Sequence, residues 1–330
     1  MDFGVIFENT LRALLNAEAL YLALAALGLN IHFGYTGLLN FGQVGFLTVA
    51  AYGLGVGVTY LDLPFGLAIL LGLALAVLLA LALGIPTLRL RADYLAIVTI
   101  ASSEVLRLVA RSATLRDVTG GSSGLTGFAR GFYDLNPLNG ESYGFGPFTY
   151  TANRSWLLLV GWSLVILGSL LVFMLMRSPW GRVLKAIRED EDAVRSLGKN
   201  VVGYKMQSLI LGGIFGALGG FIFALANSSI QPDNYSTLLT FFAFTAMILG
   251  GAGRILGPIV GAIIFSSFFV FLENLLVQAV RADVIPTSIM NSNQVGPVRV
   301  ILVGVLLMAL MIFRPQGIFG DKKELALDAR

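Results

Sequence analysis

From Leu38 to Pro86 the sequence carries a single charged side chain, Asp62, and the apolar runs on either side of it are each long enough to cross a bilayer. A hydrocarbon core of about 30 Å takes roughly 20 residues of helix. With no water to satisfy backbone groups there, only helices or closed barrels can stand in it. "DLP" at 62–64 therefore reads as a tight turn between two spans. The same pattern recurs along the chain and predicts spans near 17–33, 38–61, 64–85, 92–112, 155–177, 206–227, 235–252, 256–280 and 296–313. The predicted fold is all-α: one polytopic transmembrane bundle over 1–330 with about eight or nine spans, some short or broken. The stretch ahead of the first span, up to Asn16, predicts an interfacial or partly inserted helix.

A chain of 330 residues that is 56% apolar and only 12% charged exceeds what a soluble domain can hide. The net charge of +3 does not form a basic patch interleaved with aromatics, so a nucleic-acid partner is not expected. No cysteine is present, which excludes disulfides and thiolate metal sites, and a single histidine, His32, rules out a histidine-based metal cluster. The start, "MDFGVIFENTLRALLN", lacks a basic region ahead of an apolar one, so no removable signal peptide is expected. Cations in short loops mark the inner side of a membrane. Placing 178–205 inside puts 86–93, Arg254 and the tail from Arg314 there too, together with most of the 22 Lys and Arg residues. The Gly-, Ser-, Asn- and Pro-rich stretch 113–154 then faces outward, as does 281–295.

Glycines at every fourth position form ridges that let helix backbones approach closely in lipid. Gly212, Gly216 and Gly220 make one, Gly253, Gly257 and Gly261 another, and Gly53 with Gly57 a third. They are expected to serve helix packing.

"HFGYTGLLNFGQVGF" (32–46) is polar and glycine-rich where a span should begin. Asn40 and Gln43, three apart, would share a helix face, and Gly34 and Gly37 permit a sharp turn or an unwound step. Interrupted helices near the midplane expose polar backbone to a substrate, which makes Asn40, Gln43 and Phe46 candidates for a translocation path. The competing reading is hydrogen bonding between helices. His32 reads as interfacial rather than as a proton relay, having no acidic neighbour in sequence. Glu104 and Glu273 are the acids deepest in apolar surroundings and are further path candidates. Glu104 has Arg107 three positions on for a helix-internal pair, whereas Glu273 has no evident partner nearby in sequence.

"SPWGRVLKAIREDEDAVRSLGKN" (178–200) sets nine charged residues in 23 positions, out of character with the apolar chain around it. Its first half sets Val183, Leu184 and Ile187 on one stripe with Arg182, Lys185 and Arg188 around it, as expected of a helix lying against the inner membrane face. In the second half Asp190 can cap a helix, Glu191 and Asp192 suit its first turn, Gly198 stops it and Lys199 sits at the negative end of its dipole. Two turns are too short to be stable alone, so packing must hold them. A projecting piece of this kind reads as a plug for a partner's socket. No Walker A loop is present: the pair Gly198–Lys199 is followed by Asn200 and has Ala193 where the first glycine belongs. The chain is not expected to be an enzyme.

"DAVRSLG" (192–198) resembles the EAA-type cytoplasmic loop of ABC-importer permeases. With 34–53, 93–109, 118–128, 178–201, 248–265 and 313–320 in order, nearly the whole chain is similar to branched-chain amino acid permeases of the LivM type. The resemblance implies an importer of the bacterial inner membrane, multi-pass, with its C-terminus cytoplasmic. It implies as partners a second permease of the LivH type, two ATP-binding subunits of the LivG and LivF type, a periplasmic or lipid-anchored substrate-binding protein, and membrane lipid. No cofactor is expected on this chain, ATP and Mg being used by the partner subunits. Carried over, Asp192, Ala193 and Gly198 take the motif positions of a coupling helix, with Arg188, Glu189 and Asp190 as flanking contacts. Asp192 stands where the broader motif has glutamate and Val194 where it has alanine. Alternating access would follow, with the coupling helix over 190–198 rocking a glycine-packed bundle. The same architecture serves urea and short-chain amides. An ion-coupled secondary transporter would need Glu104 and Glu273 as coupling groups, and a membrane scaffold would leave the polar second span unexplained.

Overall fold

The computed structural model describes residues 3–88, 92–144, 146–282, 284–285, 290–313 and 316–320. Arg89 and Arg91 of the expected inner loop, part of the 281–295 loop, and Arg314 with most of the expected cytoplasmic tail lie outside them.

The chain is a helical bundle: α1 (Phe3–Ala13), α2 (Ala17–Leu29) continued by a π-helical segment (Asn30–Tyr35), α3 (Gln43–Thr59), α4 (Phe65–Thr87) and α5 (Ala92–Arg111). A loop region then holds the short helices α6 (Arg116–Thr119) and α7 (Arg130–Tyr133) and the strands β1 (Leu125–Thr126), β2 (Ser142–Tyr143) and β3 (Tyr150–Thr151). Next come α8 (Ala152–Arg177), α9 (Pro179–Glu189), α10 (Glu191–Ser196), α11 (Val201–Asn227), strand β4 (Ser229–Ile230), α12 (Thr237–Gly250), α13 (Gly257–Arg281) and α14 (Val295–Phe313). Each predicted span coincides with one of these helices. Among the described residues, five helices are long and apolar enough to cross a membrane: 17–35, α4, α8, α11 and α13. Gln43–Thr59, Thr237–Gly250 and Val295–Leu306 are shorter apolar helices.

The pairing of β1 with β4 joins the 113–151 region to the end of α11, so these lie at one end of the bundle. The segment α9–α10 and the turn between α12 and α13 lie at the other. α1 is not merely interfacial: Ile6 and Ala13 are buried, Asn9 Nδ2 donates to Asn274 Oδ1 of α13 at 3.1 Å, and Arg12 Nε donates to the Pro147 carbonyl at 2.7 Å.

Without a hydrophobic force between helices in lipid, close backbone approach does the packing. A Cβ on Gly53 would lie 2.6 Å from Cα of Gly72, and one on Gly57 2.9 Å from Cβ of Ala68, so α3 and α4 meet almost backbone to backbone. The 212–216–220 ridge faces both α2 and α3. A Cβ on Gly212 would lie 2.5 Å from the Gly28 carbonyl oxygen, one on Gly216 2.7 Å from Gln43 Nε2, and one on Gly220 2.3 Å from the Leu47 carbonyl oxygen. The other ridge needs correction. Gly257 and Gly261 face the end of α12, but Gly253 is not on a helix. It sits at φ +74° in the turn before α13, a conformation glycine adopts without steric cost.

Candidate functional site

α9 and α10 form a projection at one end of the bundle. Proline at the first position of α9 lacks only a donor that a helix start leaves unpaired anyway. Leu184 and Ile187 face inward and are buried, while the charged face stays out. Asp190 caps α10, accepting from the Ala193 N–H at 2.9 Å, and Gly198 closes it at φ +74°. Both are the residue types that helix ends favour. Glu191 holds this short helix down through an ion pair with Lys205 of α11, while Arg195 reaches both Glu191 and Asp192 at 2.8 Å. Val194 is buried beneath it. Asp192 is 88% exposed, and Ala193 and Gly198 also face solvent. Sequence reading missed Leu197, which is 79% exposed at the tip of α10. Its position one helical turn after the inward-facing Val194 concealed it as one more packing residue. Arg188, expected as a flanking contact, stays exposed and also donates through Nη1 to the Gly34 carbonyl at 2.6 Å. Glu189 remains exposed.

The second polar constellation lies where α2 gives way to α3. The π segment ends at Tyr35, Gly37 takes φ +74°, 38–40 have no regular structure, and α3 begins only at Gln43. Asn40 is therefore not on the helix that carries Gln43, and the interruption is a connection between two oppositely directed helices rather than a break within one. Asn40, Gln43, Phe46 and His32 are each 0% exposed. The network is continuous: Asn40 Nδ2 donates to Gln43 Oε1 at 2.9 Å and lies 3.1 Å from His32 Nδ1. Gln43 Nε2 donates to the Gly212 carbonyl at 3.0 Å, and His32 Nε2 lies 3.1 Å from that of Leu209. A neutral ring protonated on Nε2 satisfies both histidine contacts. His32 is thus a buried tie between the π-helical end of α2 and α11. The first donors of α3 have no partners within that helix. One of them, Val44 N–H, is met by Thr240 Oγ1 of α12 at 2.9 Å, and just ahead of the helix Phe41 N–H is met by Thr99 Oγ1 of α5 at 3.2 Å. Buried on every side, Asn40, Gln43 and Phe46 line no open path in this conformation. Gln43→Leu is expected to leave an Asn40 N–H without its Gln43 acceptor and to remove the second hydrogen bond of the Gly212 carbonyl, at about 1–3 kcal/mol. Thermal unfolding in detergent should show the loss, and unchanged stability with altered uptake would instead mark Gln43 as part of a path.

The two membrane acids are both paired. Glu104 Oε1 accepts from the Thr237 hydroxyl at 2.6 Å and its N–H at 3.3 Å. This places a carboxylate on the N-terminus of α12, where the helix dipole favours it. Arg107 Nε donates to its other oxygen at 2.9 Å, and Arg107 and Arg111 both reach Asp233. This charged group clamps α5 to α12 at the end opposite α10. Glu273 is not alone: it pairs with Arg299 of α14, whose guanidinium lies 3.7 Å from the centre of the Phe269 ring. A cation over a ring face is attracted by its quadrupole, which fixes the arginine further. Sequence distance hid that pair. α5 and α12 carry exposed apolar side chains, Tyr94, Ile97 and Val105 on the first and Leu238 and Phe241 on the second, and Phe41 lies 5.0 Å from Phe244, ring to ring. Among the described residues, no cluster of three or more His, Cys, Asp or Glu is placed to hold a metal ion.

A family model described as the permease component of the branched-chain amino acid transport system matches residues 13–313. The chain is 30% identical over 302 residues to the high-affinity branched-chain amino acid transport system permease protein LivM of Salmonella typhimurium, covering 88% of this chain and 66% of that protein. It is 31% identical over 302 residues to the corresponding protein of Escherichia coli, with the same coverage. To the probable branched-chain amino acid transport permease protein LivM of Methanocaldococcus jannaschii it is 26% identical over 342 residues, covering 91% of this chain and 90% of that protein. The chain thus spans just under two thirds of the length of the enterobacterial relatives and most of the archaeal one.

Proposed function

This chain belongs to the family of branched-chain amino acid transport system permease components, and from that premise we propose that it is the membrane-spanning subunit of an ABC importer for hydrophobic amino acids. The observation that carries this reading beyond family membership is α10: a capped two-turn helix, pinned by Glu191 to Lys205, with Val194 buried and Leu197 held out. Such a piece transmits force only if a partner seats on it. The partners are ATP-binding subunits at the α10 end, a second related permease, and a binding protein at the opposite end. Arg182, Lys185, Arg188, Arg195, Lys199 and Lys205 all lie on or beside α9–α10, and such a concentration of cations supports an inner position for it.

The path for the substrate runs along the α5–α12 face. Its apolar side chains suit an aliphatic substrate. The mixed charges of Glu104, Arg107, Arg111 and Asp233 at its mouth suit a zwitterion. Asn40 and Gln43 act behind this face, holding the α2–α3 connection between the helices that must rock. The relatives' names favour leucine, isoleucine or valine over urea or short-chain amides as the cargo. In proteoliposomes containing the co-purified complex, ATP-driven uptake of radiolabelled leucine is expected, with urea and acetamide not taken up. Failure of the chain to co-purify with ATP-binding subunits, or uptake that persists without ATP and collapses with an uncoupler, would overturn the reading.

A further inference from the structure

Arg188 meets the end of the first long span at a carbonyl that the helix no longer pairs. Where a helix ends, its last carbonyls lose their internal partners. Here Leu38 N–H turns back to the His32 carbonyl at 2.8 Å instead of bonding that of Gly34, and Arg188 takes the Gly34 oxygen. A cation at a helix C-terminus is also favoured by the dipole. The stem of Arg188 lies against Gly37, where an added Cβ would meet its Cγ at 3.4 Å, and Lys185 sits 5.8 Å from the Tyr35 ring centre. α9 is thus tied to the very end of the span that leads into the α2–α3 connection.

That end is a junction. Asn30, at the start of the π segment, donates to the Arg254 carbonyl at 2.8 Å and accepts from the Gly253 N–H at 2.7 Å, which ties it to the turn between α12 and α13. Further on, Phe41 of the connection is bonded to Thr99 of α5 and Val44, in the first turn of α3, to Thr240 of α12, the helices that flank the proposed path. On the α10 side, α9 adjoins α10 directly, Asp190 ending one and capping the other.

We propose that Arg188 is the transmission residue of this permease: its bond to the Gly34 carbonyl passes displacement of the α9–α10 projection to the 30–42 segment and so to α5 and α12. This rests on the reading of α10 as the seat of an ATP-binding subunit. Arg188 acts through other groups and touches no substrate, so it is a positioning residue.

The test uses the complete complex in proteoliposomes, comparing wild type with Arg188→Gln and Arg188→Lys. Arg188→Gln is expected to assemble with the ATP-binding subunits at wild-type yield and to hydrolyse ATP at a comparable rate, while leucine carried per ATP falls by about tenfold or more. Arg188→Lys, which keeps a charged donor, is expected to recover most of that ratio. Because the chain has no cysteine, spin labels on Glu189→Cys and Tyr60→Cys report the two ends selectively. Their distance should change on ATP binding, and the change should disappear in the Arg188→Gln background. Unchanged transport per ATP in Arg188→Gln overturns the proposal. So does a parallel fall of hydrolysis, uptake and thermal stability that Lys does not rescue, which is the behaviour of a plain structural staple. If wild-type protein neither binds ATP-binding subunits nor takes up leucine with ATP, the functional reading itself fails, and that outcome is visible before any variant is made.

Discussion

Leu197→Asp is expected to abolish ATP-driven uptake while leaving the bundle folded. The side chain is 79% exposed and makes no contribution to the core of this chain, so its loss should move the thermal midpoint of the isolated permease little. In a partner's groove a leucine contributes roughly 1.5–3 kcal/mol by burial. A carboxylate in the same place must be desolvated without a partner, which adds further cost. Since about 1.4 kcal/mol is tenfold in affinity, binding of the ATP-binding subunits should weaken about a hundredfold or more. Gly198→Trp approaches the same surface from a different direction. A Cβ at Gly198 meets nothing within 4 Å, so bulk projects outward. Its left-handed backbone, φ +74°, adds a local strain for any residue with a Cβ. That strain is about 1–2 kcal/mol. The variant should remain inserted and separate ATP hydrolysis from uptake. Pull-down of the ATP-binding subunits and uptake in vesicles check both variants, and normal coupled uptake by either would remove α10 from the docking surface.

Gly261→Leu is expected to be the most destabilising of these substitutions. A Cβ there would lie 1.8 Å from the Ala246 carbonyl oxygen and 2.7 Å from the Gly250 nitrogen. Both obstacles are backbone, so no rotamer change relieves them, and α12 must separate from α13. Overpacking of this kind costs typically about 1–3 kcal/mol and sometimes more. At roughly 2–4 °C per kcal/mol for chains of a few hundred residues, a fall of about 10 °C or loss of the monodisperse species should follow. Gly296→Leu is the control, since a Cβ at Gly296 meets nothing within 4 Å. Size-exclusion chromatography with a thermal ramp in detergent separates the two. A folded Gly261→Leu protein of wild-type stability would show that the α12–α13 contact carries little of the fold.

The spans and the α9–α10 projection were legible in the sequence because their physics is local. An apolar run of bilayer length declares itself without any knowledge of neighbours. Asp190, the acids after it and Gly198 describe the start and stop of a helix by short-range hydrogen bonds alone. The 212–216–220 ridge was equally visible, as a periodicity along one helix.

What the sequence left open are pairings between residues far apart in the chain. Glu273 reads as unpaired in sequence because Arg299 comes to it only when α13 and α14 pack. His32 reads as interfacial because its partners, the Leu209 carbonyl and Asn40, are brought in by α11 and by the turn of the chain after Gly37. Asn40 and Gln43 would share a face only if one helix ran through both, and the mixed polar and apolar character of 32–46 does not say where a helix begins. Thr99 and Thr240 decide that, by supplying the acceptors that let α3 start at Gln43. By itself, then, the sequence determined that this protein is a membrane bundle with a charged, capped projection, since burial of apolar runs and helix capping depend on neighbours close in the chain. Only the tertiary structure decided that the exposed Arg188 reaches back to the Gly34 carbonyl while Leu197 stands free of the bundle, because the direction of a side chain at the end of a short helix is set by what the rest of the fold brings against it.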